Sequence, residues 1–208
     1  MTIHLHHDDL PADVADQLRA GDAVAVDSET MGLNPLRDRL CVVQLSAGDG
    51  DAHLVKFAKD RFDAPNLCAV LGDPGVLKLF HFARFDIAVM LHYLGVVTAP
   101  VYCTKIASKL VRTYTDRHGL RDLCRETIGV DVDKGQQSSD WGADSLSDAQ
   151  KSYAAGDVLY LHRVRQVLDI MLDREGRRAF AEDAFAFLPT RARLDLAGFE
   201  GLDIFAHS

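Results

Sequence analysis

Two acidic side chains stand two positions apart at the end of a predicted strand. Residues 23–27 form an apolar, β-branched run typical of a strand, and the motif Asp27-Ser28-Glu29 closes it. Side chains two apart on a strand point to the same face, so these carboxylates would converge. Such a pair repels unless a cation lies between the two groups, and hard divalent cations choose oxygen ligands. The motif therefore indicates a metal site, or else a pair of solvated charges where the strand ends.

A phenol and a carboxylate occur four residues apart later in the chain. Tyr153 and Asp157 lie in the middle of a long helical pattern, and residues i and i+4 share one helix face. Both side chains would face one cavity; the alternative is a core tyrosine whose hydroxyl bonds to a neighbouring carboxylate. Gly156 destabilises a helix by roughly 0.5–1 kcal/mol relative to alanine, which indicates either a close approach by another group or simple drift.

A third acidic segment, HFARFD at residues 81–86, leads from a predicted buried strand into an apolar helix and ends on Asp86. An aspartate in a first helical turn is ordinarily a surface residue that the helix dipole favours. Taken alone, Asp86 favours this surface interpretation, and only the three motifs together indicate more.

The elements that must position these acids are predicted from the apolar pattern. Residues 23–27, 40–46 and 52–57 form strands joined by short loops, which favours antiparallel neighbours. The longest helix begins with a capping box, Ser147-x-x-Gln150. We predict helices at residues 8–19, 66–71, 84–94, 104–112, 120–128, 147–172 and 177–187, and further strands at 77–81 and 101–103. This order predicts a single α/β domain in which helices flank a mixed β-sheet.

The three acidic segments, VAVDSETMGL, HFARFDIAVML and YAAGDVLYLHRV, resemble the motifs of the DEDD superfamily of 3′→5′ exonucleases. The tyrosine places the likeness in the DEDDy branch typified by ribonuclease D, whose linking segments are similar to CTKIASKL and HGLRDLCRETIGV here. The resemblance covers about residues 20–170 and implies the RNase H-like fold of that superfamily. Ser28 stands where threonine is usual, and we expect its side chain to point away from the metals.

The resemblance also implies the roles of the five residues. It implies two divalent cations, with Asp27 bridging both, and with Glu29 and Asp157 holding the cation that carries the attacking water. Asp86 would support the second cation, and the Tyr153 hydroxyl would orient the water. Mg²⁺ or Mn²⁺ is expected, because an oxygen-only site lacks the nitrogen or sulfur ligands that favour zinc.

Within the family, the chain resembles the short, dinucleotide-degrading enzymes of the nano-RNase C type over nearly its full length. The likeness includes the end of the chain, LPTRARLDLAGFEGLDIFAHS, and no counterpart of the helical nucleic-acid-binding domains of typical ribonuclease D is present in the 208 residues. It implies hydrolysis of short RNA, chiefly dinucleotides, to nucleoside 5′-monophosphates by a homo-oligomer such as an octamer. We expect residues 188–208 to form an apolar tail that packs on the domain or on a neighbouring subunit.

Two positions near the acids are candidate substrate contacts. By resemblance, Leu33 in the turn after the first motif would wedge between the two terminal bases; the alternative is a leucine that closes the core beneath the turn. His81, five residues before Asp86, would contact the terminal nucleotide.

The loop at residues 112–118, RTYTDRH, is a candidate for binding a terminal 5′-phosphate, because it combines cations and hydroxyls in an acidic chain. The candidate contacts are Arg112, Tyr114, Arg117 and His118, and a merely solvated loop is the alternative. Lys134 and residues 136–141 are also candidates for the lining of the site, without an assigned role.

The overall charge limits the kind of nucleic acid that the chain would hold. It carries 23 basic and 31 acidic residues, a net charge of −8, whereas proteins that grip long nucleic acid usually carry a basic excess. An acidic pocket in which metal ions supply the positive charge remains compatible with this balance. A broader ribonuclease D-like enzyme that trims longer RNA, or digests single- or double-stranded DNA, is the alternative, and a catalytically dead scaffold is a remote one.

The location of the protein is predicted from what the sequence lacks. The first residues, MTIHLHHDDLPADV, have no basic flank followed by an apolar run, so we expect no signal peptide. Apolar stretches are far shorter than the roughly 18 residues that span a bilayer, so we expect no membrane contact. The four cysteines have no zinc-ligand spacing and are expected to be free thiols in the cytoplasm.

Overall fold

The computed structural model describes residues 1–133 and 135–207. Six strands form one sheet in the order β1-β4-β3-β2-β5-β6. Strand β3 is antiparallel to both of its neighbours, β2 and β4, whereas the pairs β1–β4, β2–β5 and β5–β6 are parallel. The strands are β1 Thr2–His7, β2 Ala23–Thr30, β3 Leu40–Ser46, β4 Asp51–Lys56, β5 Leu77–Phe80 and β6 Val101–Cys103. The predicted mixed sheet and its antiparallel meander are therefore confirmed.

Helices cover both faces of this sheet, as expected for an α/β fold. They are α1 Ala12–Arg19, α2 Pro65–Leu71, α3 Ala83–Leu94, α4 Thr104–Val111, α5 Leu120–Ile128, α6 Asp148–Leu159, α7 Leu161–Arg174 and α8 Arg178–Leu194, followed by a π-helical turn at Asp195–Phe199. Strand β3 is buried along its whole length because it lies at the middle of the sheet between the helical layers. No helix in the described ranges is long and apolar enough to cross a membrane.

The first strand was not predicted. β1 carries three histidines and alternates apolar and polar residues only weakly, so the sequence lacks the β-branched run that marks the other strands. Its strand conformation comes from parallel pairing with β4 rather than from local preference. The predicted helix at residues 8–19 begins only at Ala12, after this strand.

The predicted helix at residues 147–172 is two helices. The backbone at Tyr160 leaves helical geometry, with φ −105° and ψ −7°, and separates α6 from α7. α6 packs against the central strands, whereas α7 packs against α4 and α5. These different partners need different helix directions, which a continuous helical pattern does not reveal.

The last helix is longer than predicted and takes in part of the expected tail. α8 continues through Pro189 because its buried stripe, Ala181, Phe185, Leu188 and Ala192, keeps helical spacing on both sides of the proline. The following π-helical turn is held on the domain by Asp195, which accepts two hydrogen bonds from Arg84 at 2.5 and 2.8 Å. Residues beyond it are largely exposed.

Candidate active site

The first acidic motif lies on the central part of the sheet. Asp27 and Glu29 project from β2, two residues apart, next to a register shift between Glu29 and Thr30. Asp27 lies opposite Gln44 of β3, and the Gln44 Nε2 atom donates a hydrogen bond of 3.2 Å to Asp27 Oδ2. Because Gln44 is fully buried on the neighbouring strand, its amide holds the Asp27 carboxylate in one orientation. This contact was not predicted, because it depends on the strand register.

Asp157, from the Tyr153–Asp157 motif, meets the first acidic motif. Carboxylate oxygens of Asp27, Glu29 and Asp157 all lie within 4.8 Å of one another, and Asp157 comes from α6. The predicted capping box that starts α6 is present: Gln150 N donates to Ser147 Oγ at 3.2 Å, and Ser147 N donates to Gln150 Oε1 at 2.9 Å. α6 packs on β2, β3 and β4, which holds Asp157 against the strand carboxylates.

Asp86 completes the acidic group from the first turn of α3 and is almost fully buried. Ser28 Oγ donates a hydrogen bond of 2.6 Å to Asp86 Oδ1. Ser28, which was expected to point away from the metals, therefore contacts Asp86, one of the predicted metal ligands, and orients its carboxylate. Asp86 lies outside the trio of converging carboxylates, although its charge still raises the pKa of Glu29.

Tyr153 lies one helical turn before Asp157 and lines the same cavity. Its ring packs at 6.0 Å, centroid to centroid, against the ring of the buried Trp141. Burial and the charges of Asp157, Glu29 and Asp27 raise the pKa of the Tyr153 hydroxyl. The phenol therefore keeps its proton at neutral pH and can donate a hydrogen bond into the cavity.

When no cation is bound among the acids, their ionised forms are unfavourable. Burial raises the pKa of Asp27 to about 7. Burial, together with the charges of Asp27, Asp157 and Asp86, raises the pKa of Glu29 to about 10. The pKa of Asp86 also lies well above its usual value, through burial and the charge of Asp27. Groups with these pKa values cannot all ionise at pH 7 unless positive charge is supplied.

The donor set fits a hard divalent cation. The three converging donors are carboxylate oxygens at metal-ligand separation, and they are at least half-buried. Carboxylates in such a group are the ligands of Mg²⁺ and Mn²⁺, whereas zinc favours sites with nitrogen or sulfur donors. Asp27, Glu29 and Asp157 could therefore hold a metal ion, whereas Asp86, the fourth ligand that the resemblance implies, lies outside this trio.

The acids open into a cavity of about 650 Å³. Its remaining walls come from the turn after β2, the start of α3 and α4, the start of α5 and the loop before α6. The lining residues beside the acids and Tyr153 are Thr30, Met31, Gly32, Leu33, His81, Phe82, Lys105, Gly119, Leu120, Arg121, Val132, Asp133, Gln137, Ser138, Ser139 and Trp141.

Leu33 is 83% exposed on the edge of this cavity, so the alternative that it closes the core is wrong. His81 lies in the cavity wall, where its Nδ1 atom is 2.9 Å from Thr104 Oγ1. Two cations of the lining, Lys105 and Arg121, were not singled out from the sequence. The available signal was their position directly before or within the linking segments CTKIASKL and HGLRDLCRETIGV.

The loop at residues 112–118 is arranged differently from the prediction. Arg112 is fully buried, and its Nη1 atom donates to Ser108 Oγ at 2.9 Å and to the Arg117 carbonyl at 2.8 Å. It also pairs with Glu126 of α5. Arg112 therefore does not present its guanidinium at the surface of the chain, because that group is engaged in bracing the loop against α5.

The other three loop residues stay nearer the surface. Tyr114 is 70% exposed, Arg117 is exposed, and His118 Nδ1 lies 2.9 Å from Ser108 Oγ. In the described part of the chain, none of them lines the cavity, although the loop runs directly into the wall residues that begin with Gly119. Of the further predicted lining residues, Gln137, Ser138, Ser139 and Trp141 are in the wall, and Lys134 lies outside the described residues.

Gly156 has an ordinary environment. A Cβ atom at this position would lie 3.6 Å from Val132 Cγ1, which is a normal van der Waals distance. The structure therefore gives no support to a close approach of another group at this glycine.

Comparison with known proteins agrees with this site. Residues 3–173 match the model of the 3′-5′ exonuclease family. Ribonuclease D of Acidiphilium cryptum is 37% identical over 177 residues, which are 85% of this chain and 45% of that protein. The chain thus spans less than half the length of the curated relatives it matches.

Solved structures give the same result. NrnC of Brucella melitensis superposes with a TM-score of 0.96 at 56% identity, over 100% of both chains. The same protein is known bound to pGG and with bound Mg²⁺, at 55% and 54% identity and a TM-score of 0.95 in each case, again over 100% of both chains. Escherichia coli RNase D superposes with a TM-score of 0.76 at 27% identity, over 87% of this chain and 48% of that one. The chain belongs to the 3′-5′ exonuclease family that includes ribonuclease D.

Proposed function

We propose that this protein is a metal-dependent 3′→5′ exoribonuclease that hydrolyses short RNA, chiefly dinucleotides, to nucleoside 5′-monophosphates. The observation that carries the proposal is the trio of carboxylates within 4.8 Å of one another at the floor of a cavity of about 650 Å³. Asp86 and Tyr153 lie beside this trio, so every position of the DEDDy motif is present at one place. A dead scaffold would not need to keep all five.

Each residue has a part that follows from its contacts. Asp27, Glu29 and Asp157 would hold the cations, Gln44 keeps Asp27 in position, and Ser28 keeps Asp86 in position. Two bound divalent cations would supply an activated water and neutralise the charge that develops on the phosphorus.

The tyrosine hydroxyl acts as a hydrogen-bond donor in this proposal. Because the pKa of Tyr153 is raised, its hydroxyl stays protonated and orients the attacking water rather than removing a proton from it. The tilted contact of its ring with the ring of Trp141 limits the movement of the side chain beside the carboxylates. The residue is therefore a positioning group for the water, with its aromatic ring fixed by the core.

The cavity suits a small substrate. A volume of about 650 Å³ is in the range of sites that enclose one small ligand. The net charge of −8 is also unlike the basic excess of proteins that bind long nucleic acid. Exposed Leu33 offers an apolar surface on which bases can stack without regard to sequence. Lys105 and Arg121 in the wall supply the positive charge for the phosphate, and His81 contacts the terminal nucleotide. The Brucella protein of known structure binds pGG, which agrees with this substrate class.

We further propose that the active form is a homo-oligomer. Several large apolar side chains near the C-terminus are exposed in the single chain: Phe180, Phe199, Leu202, Ile204 and Phe205. Exposed apolar surface of this kind marks contact with another subunit. In this proposal, Tyr114, Arg117 and His118 contact a 5′-phosphate in an assembly such as an octamer, and buried Arg112 supports their loop.

The cytoplasm is the proposed location. Cys41, Cys68, Cys103 and Cys124 are all free, and three of them are buried. Free thiols are typical of a reducing compartment.

Trimming of longer RNA is the second candidate function, and its support is the identity with ribonuclease D. A series of 5′-labelled oligoribonucleotides from two to seven residues, with Mg²⁺ or Mn²⁺, separates the two, and matched DNA oligomers test the sugar. We expect 5′-mononucleotides as product and a steep fall in kcat/KM beyond two residues. Equal rates for all lengths would favour the trimming enzyme, and no metal-dependent product at all would exclude both.

A further inference from the structure

A second group of metal-binding side chains lies at the other side of the sheet. His4 and His6 stand two residues apart on β1, and His53 of β4 lies directly opposite His4 in the strand register. Since side chains alternate along a strand, all three project from the same face. Asp51, two residues before His53, projects from that face as well. The intervening β1 residues, Ile3 and Leu5, pack against the core instead.

These side chains are in mutual contact. His6 Nε2 lies 3.1 Å from His53 Nδ1, and His4 Nε2 lies 3.5 Å from Asp51 Oδ2. The ring of His53 is 4.8 Å from that of His4 and 5.4 Å from that of His6, centroid to centroid. The other oxygen of Asp51 accepts a hydrogen bond of 2.9 Å from the Thr2 backbone N–H, which holds the carboxylate towards His4.

We propose that these four side chains form a second metal site, for a borderline transition-metal cation such as Zn²⁺. Two histidines at positions i and i+2 of one strand, joined by a third from the neighbouring strand, supply three imidazole donors from a rigid support, and Asp51 supplies a fourth, oxygen donor. Zinc takes four such ligands in a tetrahedral arrangement. With Zn–N bonds of about 2.0–2.1 Å, two nitrogens 3.1 Å apart subtend about 100° at the metal, close to a tetrahedral angle.

Binding at this group requires the rings to change orientation. The three rings stack nearly parallel, with interplanar angles between 12° and 15°, so their nitrogens converge on a cation only after the rings turn out of the stack. The hydrogen bond between His6 and His53 is replaced when the cation enters.

This site is separate from the carboxylate site. β1 is three strand spacings from β2 in the sheet, roughly 14 Å. The donors also differ in kind, because imidazole favours Zn²⁺, Ni²⁺ and Cu²⁺ whereas carboxylates favour Mg²⁺ and Mn²⁺. The two sites can therefore be occupied by different ions at once.

The test is calorimetric titration of ZnCl₂ into the full chain, purified without a histidine tag. The wild-type protein is compared with His6→Asn, His53→Asn and, as a matched control, His92→Asn on α3, which is an exposed histidine outside the group. We expect His6→Asn and His53→Asn to weaken one equivalent of Zn²⁺ binding at least about tenfold, the smaller effect known for loss of an outer-shell partner. The His92→Asn variant should bind like the wild type.

A second readout excludes a loss of fold. Co²⁺ in place of Zn²⁺ should give visible absorption bands of a tetrahedral complex in the wild type and in His92→Asn, but not in His53→Asn. The Mg²⁺-dependent nuclease activity of His53→Asn should match that of the wild type, because His53 lies outside the cavity. Equal stoichiometry and affinity for Zn²⁺ in all four proteins would overturn the proposal and leave a hydrogen-bonded row of histidines.

Discussion

The floor of the active-site cavity lies on packed strands and helices, whereas its rim lies on exposed turns. The floor, made of Asp27, Glu29, Tyr153 and Asp157, projects from β2 and α6, whose buried faces pack into the core. Asp86 lies beside it, buried, in the first turn of α3. The rim includes Leu33, which is 83% exposed, and the exposed Arg121. Core packing holds the floor in a fixed geometry, which catalysis by positioned groups requires.

The difference between floor and rim separates the residues expected to control the rate of the chemical step from those expected to control substrate affinity. Chemistry depends on oxygens held within 4.8 Å of one another, so small displacements of the floor are costly to turnover. Substrate choice depends on side chains that make few contacts with the rest of the chain. Substitutions in the floor should therefore change the rate of the chemical step, whereas substitutions at the rim should change the affinity for substrate and leave stability unchanged.

The largest effect is expected from Asp157→Asn, which removes a charge that the metals need. Loss of several kcal/mol of charge stabilisation corresponds to a fall in kcat of about 10³-fold or more. A matched control is Asp133→Asn, a carboxylate in the cavity wall that lies outside the converging trio. Single-turnover rates on a dinucleotide measure both. A floor that is not a metal site would give the two variants similar activity.

A smaller loss is expected from Tyr153→Phe, which removes the hydroxyl and keeps the ring contact with Trp141. Positioned proton donors and acceptors contribute typically 10²–10⁴-fold, and we expect the lower end, about 10²-fold in kcat, because the hydroxyl only orients the water. Metal affinity, measured by Mn²⁺ titration, should not change. A drop in metal affinity equal to the drop in rate would assign the tyrosine to metal binding instead.

A rim substitution, Leu33→Ala, should separate affinity from chemistry. Stacking of a base on a side chain contributes about 1–3 kcal/mol, so KM for a dinucleotide should rise about fivefold or more while kcat changes little. Because Leu33 is exposed, the melting temperature should stay within the small range typical of surface changes. The nearby exposed Leu36→Ala, outside the cavity lining, is the control. A loss of stability without a change in KM would indicate that Leu33 contributes to packing and not to substrate binding.

The smallest effect is expected in the pH dependence of the melting temperature, to which the floor carboxyls contribute. Without metal, burial raises the pKa of Asp27 to about 7, and burial together with like charges raises the pKa of Glu29 to about 10. The folded state then binds protons more tightly than the unfolded state. The two carboxyls therefore stabilise the folded state below about pH 4, and this stabilisation is lost as the pH rises through their pKa values in the folded protein. We therefore expect Mg²⁺ to raise the melting temperature more at pH 8 than at pH 5.5.

Glu29→Gln serves as the comparison for this pH effect. In EDTA at pH 8 it should melt at a higher temperature than the wild type, because a neutral amide replaces a carboxylate that resists ionisation. Differential scanning calorimetry at several pH values measures both proteins. A Mg²⁺ effect that is the same at every pH would contradict the assigned pKa shifts.

What could be predicted from the sequence depends on whether a contact is local or distant along the chain. Asp27 and Glu29 follow from the two-residue period of a strand, and Tyr153 and Asp157 from the four-residue spacing of a helix. Gln44, which bonds to Asp27, depends on the register of two strands, and that register is not encoded in any local pattern.

The errors have the same origin. Arg112 and Arg117 belong to one short loop, yet Arg112 is buried and Arg117 is exposed because only the former meets Ser108 and Glu126. β1 forms because β4 offers it a pairing edge, although its histidine-rich sequence has weak strand character. In both cases, tertiary contacts decided between states that the local sequence left equally open.

The most direct test of the central claim is anomalous diffraction from a crystal of this protein soaked in Mn²⁺. The carboxylate floor predicts anomalous peaks within coordination distance of Asp27, Glu29 and Asp157. The same peaks should be absent from Asp157→Asn crystals or strongly reduced in them. Mn²⁺ bound elsewhere, with no peak beside these three carboxylates, would contradict the assignment of the floor as the catalytic metal site.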